Sequence, residues 1–221
     1  MKRALIVWGG WEGHEPEPIA RWFGSLLEDM GMEVRLENSL EVLRHRDLLF
    51  EQSLIVPVWT MGTIHPDEIA SLDEAVQRGV GLGGCHGGMC DAFRDCPDYQ
   101  FMTGGQWVAH PGNDGVTYDV RIIRPDHPVT AGVPDFTVTS EHYYLHVDPS
   151  NTVLAVTPMP VAGGPHVTNG SFDMPVVWVR LHGQGRVFYI SLGHTLATLL
   201  NPEPSAICRN GLAWAARIEP L

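Results

Sequence analysis

The chain opens on an unbroken apolar run, Ala4-Leu5-Ile6-Val7-Trp8, that stops at Gly9-Gly10 and gives way to a loop carrying Trp11 and His14. A short run apolar on both faces is the pattern of a parallel strand followed by its βα loop. From Glu17 the period changes: Ile19, Trp22, Phe23, Leu26, Leu27 and Met30 recur at three- and four-residue spacing, and Gly31 follows where a helix ends. The same reading predicts strands over Met32–Leu36 and Leu54–Trp59, a short helix over Leu40–His45, a helix over Pro66–Arg78 closed by Gly79, and a fourth strand from Val80 to Gly83. Strands alternating with helices at this pitch require right-handed crossovers and a doubly wound parallel sheet, whose ligands bind beyond the carboxyl ends of the strands.

After Phe93 the pattern becomes β-rich. Val116, Tyr118, Val120 and Ile122 alternate at period two, and further strands are predicted at Phe136–Thr139, Val153–Val156, Val176–Arg180 and Val187–Leu192, before a helix near Ser205 to Arg217. The predicted class is therefore α/β, a three-layer sandwich with a mostly parallel sheet and antiparallel additions. The connections are too short for a second independent unit, so residues 1–221 are expected to form one domain.

Composition narrows the function. A formal charge of -12 with no Lys/Arg cluster repels phosphate backbones and anionic lipid, which excludes nucleic acid and membrane as partners. No run of eighteen apolar residues and no signal-peptide pattern occurs, so a cytoplasmic location is expected. Cys85, Cys90, Cys96 and Cys208 lack paired CxxC spacing and read as reduced thiols. Against 14 Lys plus Arg stand 11 histidines, the side chain best suited to proton transfer and metal ligation near neutral pH.

Gly81-Leu82-Gly83-Gly84-Cys85-His86-Gly87-Gly88 has the form of a nucleophile elbow, running into a short helix predicted over Met89–Phe93, but its apex is His86 instead of Ser or Cys. Cys85, one residue earlier, points to the other side, which rules out a Cys-dependent glutaminase. His14, His86 and His194 each follow an apolar strand and a glycine-containing turn, so topology brings them to one sheet edge, where Glu141 is expected to join them. Trp11 is a candidate for stacking on a sugar face, with Trp107, His110 and Tyr143 as further substrate contacts, whereas Trp59 reads as core. His45, His65, His166 and His182 read as surface histidines, and Asp91 and Asp95 as capping or solvent-facing.

The ordered series Gly9-Gly10-Trp11-Glu12-Gly13-His14, the His86 elbow, Gly104-Gly105-Gln106-Trp107-Val108-Ala109-His110-Pro111, Asp126-His127-Pro128, Glu141-His142-Tyr143 and Gly185-Arg186-Val187-Phe188-Tyr189…Leu192-Gly193-His194 resembles the ThuA-like, trehalose-utilization family. The resemblance implies a flavodoxin-like fold similar to class I glutamine amidotransferases with the nucleophile replaced. It also implies a role in using trehalose or related disaccharides, as keto derivatives made by a partner sugar dehydrogenase. The acidic pair that the family writes before an aromatic is Ser140-Glu141 here, so the family's role falls on Glu141 and leaves His142 without one. Acid–base hydrolysis or isomerisation by His86, Glu141, His194 and His14 is the expected chemistry. The alternatives are a metal-dependent hydrolase with zinc or manganese on His14, His86 and His194, and a non-catalytic sugar-binding module. The sugar, the bond acted on and any homo-oligomer stay open.

Overall fold

The computed structural model describes residues 1–218. Its strands are β1 (Arg3–Gly10), β2 (Glu33–Glu37), β3 (Leu54–Thr60), β4 (Gly81–Cys85), β5 (Gly105–Ala109), β6 (Val116–Ile122), β7 (Phe136–Ser140), β8 (Tyr144–Val147), β9 (Thr152–Met159), β10 (Phe172–His182) and β11 (Gly185–Ile190). The helices are α1 (Pro16–Asp29), α2 (Arg46–Phe50), α3 (Pro66–Gln77), α4 (His86–Cys90), α5 (Pro97–Thr103), α6 (Leu196–Leu199) and α7 (Pro202–Ala215), joined by short 3-10 turns.

One nine-stranded sheet runs in the order β2-β1-β3-β4-β11-β10-β9-β6-β7. The first five strands pair in parallel, in the flavodoxin-like order with β11 in fifth place. From β10 outward the pairing is antiparallel. This is the α/β architecture with antiparallel additions that the hydrophobic pattern predicts. The sheet reverses order at β1, so the loops after β1 and β3 meet there: Trp11 N–H donates to the Thr60 carbonyl at 3.1 Å.

Both faces of the sheet are covered. Ile6, Phe23, Leu27, Val56, Phe188 and Leu212 lie in the layer under α1 and α7, and Leu5, Ile55, Leu72, Val76, Leu82 and Tyr189 lie in the layer under α3. No helix among the described residues is long and apolar enough to cross a membrane.

Several boundaries differ from expectation. The 40–45 segment is a 3-10 turn, Leu40–Arg44, followed by the separate helix α2. The post-elbow helix begins at His86 itself, because the sharp turn at the apex starts it. The final helix starts at Pro202, since Pro202 and Pro204 sit in its first turn, where no amide hydrogen is needed. The strand predicted at Val176–Arg180 extends over Phe172–His182, with Pro175 accommodated beside a bulge against β9. The β5–β8 ribbon and α5 carry no clear periodicity and were not predicted.

His182, expected at the surface, is buried at the end of β10 with Nε2 against Asp73 Oδ1, because β10 runs far enough to reach α3. Asp91 is likewise buried, not solvent-facing: Arg94 donates to both of its carboxylate oxygens. His166 is half-buried. Trp59 is half-buried and packs against the α3-side layer, as expected of a core residue.

The contact between α7 and β11 is tight at Gly211, where an added Cβ would lie 2.3 Å from the Phe188 ring. Gly211→Ala should therefore destabilise by about 2 kcal/mol through overpacking, although alanine is the better helix former. Thermal denaturation should show the melting point falling by roughly 4–8 °C, with partial recovery in the Gly211→Ala/Phe188→Leu double variant. A rise in melting point would contradict the packing described.

Candidate active site

β4 delivers His86 to the sheet edge. Its φ of 46° lies in the left-handed region, as the apex of an elbow requires, and its side chain is 1% exposed. His14 comes from the turn after β1, His194 from the loop after β11 and Glu141 from the residue after β7. Three further contacts hold these loops in place. Glu15 Oε2 accepts from the Leu196 amide at 2.8 Å, joining the β1 and β11 loops. Gly87 lets the elbow close on His14, since a Cβ there would lie 2.5 Å from His14 Nδ1. Tyr118 fixes the Glu141 segment by donating to its backbone carbonyl at 2.8 Å.

The four side chains meet on one oxygen. Glu141 Oε2 lies 3.1 Å from His86 Nε2, 3.3 Å from His194 Nδ1 and 3.7 Å from His14 Nε2, and the four atoms are all within 4.8 Å of one another. Ring centroids of His14 and His86 are 4.7 Å apart and those of His86 and His194 5.7 Å.

The opposite nitrogen of each imidazole faces an oxygen outside the cluster. His86 Nδ1 is 2.7 Å from the Ser191 carbonyl, which can only accept, so Nδ1 carries a proton and Nε2 is turned toward the carboxylate. His14 Nδ1 is 2.9 Å from Thr60 Oγ1, and His194 Nε2 is 3.9 Å from Asp114 Oδ2. Burial holds the His86 imidazole down to about 4, against the opposing pull of Glu141. Burial also acts to raise the Glu141 carboxyl, but contacts with His14, His194 and His86 outweigh it and hold the group well below the usual carboxylate range. The Glu141 contact raises His194 above its ordinary value.

The profile of the trehalose-utilisation family ThuA matches residues 3–215. The chain belongs to that family. No curated protein matches the sequence. Among solved structures, a ThuA-like protein from Bacteroides uniformis superposes with a TM-score of 0.77 at 18% identity, covering 97% of this chain and 91% of that one. A protein of Salmonella typhimurium described as cytoplasmic gives 0.64 at 13% identity, covering 97% of this chain and 99% of that one. A beta-galactosidase from Bacillus circulans gives 0.58 at 12% identity, covering 97% of this chain but 30% of that one. At these identities the likenesses establish the fold only.

Around the four-residue cluster of this ThuA member lie the other predicted residues. Tyr143 stacks on His86 with centroids 3.9 Å apart and planes 22° apart, and Trp11 stands edge-on to His14 at 4.7 Å while 46% exposed. His110 Nε2 is 4.0 Å from Glu141 Oε1, on the open side of the cluster, and its ring packs against Trp107 at 5.4 Å. His142 points away from the cluster. It is buried against Tyr118, with Nε2 3.2 Å from Thr157 Oγ1, and burial lowers its imidazole to about 4. Residues not predicted from sequence are the orienting groups Thr60, Ser191, Tyr118 and Asp114. Thr60 sits at the carboxyl end of β3, where the strand-end rule could have found it. Ser191 acts through a backbone carbonyl, which no side-chain pattern reveals.

The cysteines stand apart from this chemistry. Cys85 is buried in the α1–α7 layer, and burial raises its thiol to about 12 and holds those of Cys90 and Cys208 well above the ordinary thiol range. Among the four, Cys96 is half-buried and the others are buried. Iodoacetamide at mildly alkaline pH should therefore alkylate the folded protein at Cys96 alone, as read by mass spectrometry. Rapid labelling of Cys85 would contradict this arrangement.

Proposed function

We propose that this family member is a sugar-utilisation enzyme in which His14 Nε2, His86 Nε2, His194 Nδ1 and Glu141 Oε2 hold a divalent cation beside a carbonyl-bearing sugar or glycoside. One observation carries the reading: three imidazoles present a nitrogen to a single carboxylate oxygen while their other nitrogens face Ser191, Thr60 and Asp114. Ligating histidines are oriented through an outer hydrogen bond from the distal nitrogen, which Ser191 provides for His86 and Thr60 for His14, while Asp114 stands 3.9 Å from His194, beyond hydrogen-bond reach. The separations of 3.1, 3.3 and 3.7 Å from Glu141 Oε2 put the donor atoms close enough for one cation to draw them together. Three nitrogens and one carboxylate suit zinc, with manganese the next fit.

Such a cation would supply Lewis acidity to a sugar carbonyl or hydroxyl oxygen taken up as a further ligand beside the four protein groups. The remaining work falls to the protein. Glu141 Oε2 is committed to the three imidazoles, which makes it a poor proton acceptor for substrate. His110 is the imidazole with an open approach, its side chain 31% exposed, and it moves the proton on the carbon beside the carbonyl. Tyr143 fills the face of His86 and keeps water from that side, and Trp11 at the rim offers a surface for a sugar ring.

Elemental analysis of untagged protein should find about one equivalent of zinc or manganese, lost in His86→Ala and Glu141→Gln. Turnover of a 3-keto-disaccharide panel should disappear on chelation and return with the metal. Cation-free protein with full turnover, or unchanged metal content in His86→Ala, would overturn the reading. His110→Ala should keep its metal and fold while kcat falls by about 100-fold. Unaltered kcat in that variant would remove His110 from the proton transfer.

A further inference from the structure

A cleft of about 560 Å³ opens beside the cluster, walled on one side by residues 107 to 113, in β5 and its following turn, and on the other by Tyr144 and the 163–166 loop. Its volume lies in the range of small-ligand sites. The β5–β8 ribbon builds it, with Ala109 paired to Tyr144 in register. His110 belongs to both places: it lines the cleft, and its Nε2 lies 4.0 Å from Glu141 Oε1. A ligand seated in the cleft therefore reaches the cluster past His110.

The walls offer carbon far more than hydrogen bonds. Among the described residues, no Lys, Arg, Asp or Glu lines the cleft, so nothing there compensates a charged ligand. Trp107 Nε1, His110 Nδ1 and His166 Nε2 are enclosed within the protein, which leaves the Trp107 ring no polar atom to offer a ligand and each imidazole at most one. Much of the remaining surface comes from Val108, Pro111 and Pro165 and from Tyr144, which His166 and Phe172 hold edge-on with centroids 5.7 Å away. The apolar character continues outward: Val108, Val161 and Val167 are exposed, the last two on either side of the 163–166 loop. A hydroxylated ring seated here would give up hydrogen bonds to water and find few partners, at a cost for each one lost. A flat apolar ring gives up none and gains burial beside Tyr144 and the prolines.

We infer that this cleft receives the aromatic aglycone of an aryl glycoside, with Tyr144 and Val108 setting a preference for an aryl group over a second sugar ring. The inference rests on the proposed sugar activity, since it takes the sugar ring to lie at the cluster. It departs from the disaccharide expected of the family, whose second ring carries hydroxyls that these walls leave largely unpaired. His110, at the junction, then stands beside the bond between sugar and aglycone.

Calorimetric titration with phenyl glucoside, methyl glucoside and trehalose, the first two as both anomers, tests this without requiring turnover. Wild-type protein should bind one phenyl anomer about tenfold more tightly than its methyl counterpart, the scale of one partly buried aromatic ring, and trehalose no more tightly than methyl glucoside. Tyr144→Ala, and Val108→Asp, which places a charge on the wall, should each erase the phenyl preference while methyl glucoside affinity stays. Tyr144→Phe, which keeps the ring, should retain it. His86→Gln should weaken every ligand and leave the preference intact. Circular dichroism confirms that each variant is folded. Binding of none of the three, a phenyl-to-methyl ratio near unity, tighter binding of trehalose than of phenyl glucoside, or a preference that survives both Tyr144→Ala and Val108→Asp would overturn the assignment. Normal phenyl preference in protein that holds no cation would count against the metal centre and leave the aryl site standing, whereas cation-bearing protein without that preference would do the reverse.

Discussion

Three imidazoles crowd one carboxylate oxygen in the interior of this protein, and most of the surrounding structure exists to hold them there. A carboxylate taken out of water is costly unless its charge is compensated, and what faces this one is His86, His194 and His14 at 3.1, 3.3 and 3.7 Å. Burial opposes the charged form of His86 while the Glu141 contact favours it, so the two groups are balanced against each other. The arrangement is maintained by groups that contribute no chemistry: the Ser191 carbonyl, Thr60 Oγ1, the Tyr118 hydroxyl and the Glu15 bridge to Leu196. A cation at the focus would compensate the carboxylate and engage all three imidazoles at once, which is the reading proposed for the cluster.

The parallel half of the sheet supplies the convergence. β1, β4 and β11 end on the same edge, so loops that lie far apart in sequence meet there. The antiparallel half supplies Glu141, from the end of the outermost strand β7, and the separate β5–β8 ribbon supplies the aromatic wall. His86, Tyr143 and His110 form a stack, with the Tyr143 and His110 centroids 6.5 Å apart and their planes 25° apart, leading outward from the cluster to the cleft. Chemistry and recognition are thus built by different parts of the fold and joined at His110.

Much of this was legible in the sequence because strand ends obey a simple rule. Apolar runs stopping at glycine placed His14, His86 and His194 on one edge, and the family's motif order brought Glu141 to them. The failures share a cause. His182 and Asp91 are polar residues buried by partners that come from other elements or from the next turn, and residue type alone predicts exposure. The β5–β8 ribbon is short and half-buried, so it shows neither alternation nor a continuous apolar run, and the cleft it builds was invisible with it. The choice between a metal and free histidines turns on which nitrogen of each ring carries the proton. For His86 that is decided by a backbone carbonyl 105 residues away.

The central claim is that the cluster is a ligand set. X-ray absorption spectroscopy on protein purified without a tag tests it most directly, because it reads the atoms around the ion and not the activity. The account predicts a shell of nitrogen and oxygen at about 2.0–2.1 Å with the outer scattering of imidazole rings, lost in His86→Ala. A sulfur shell at about 2.3 Å, which would place any metal on the cysteines, or the same imidazole spectrum in His86→Ala, would contradict it.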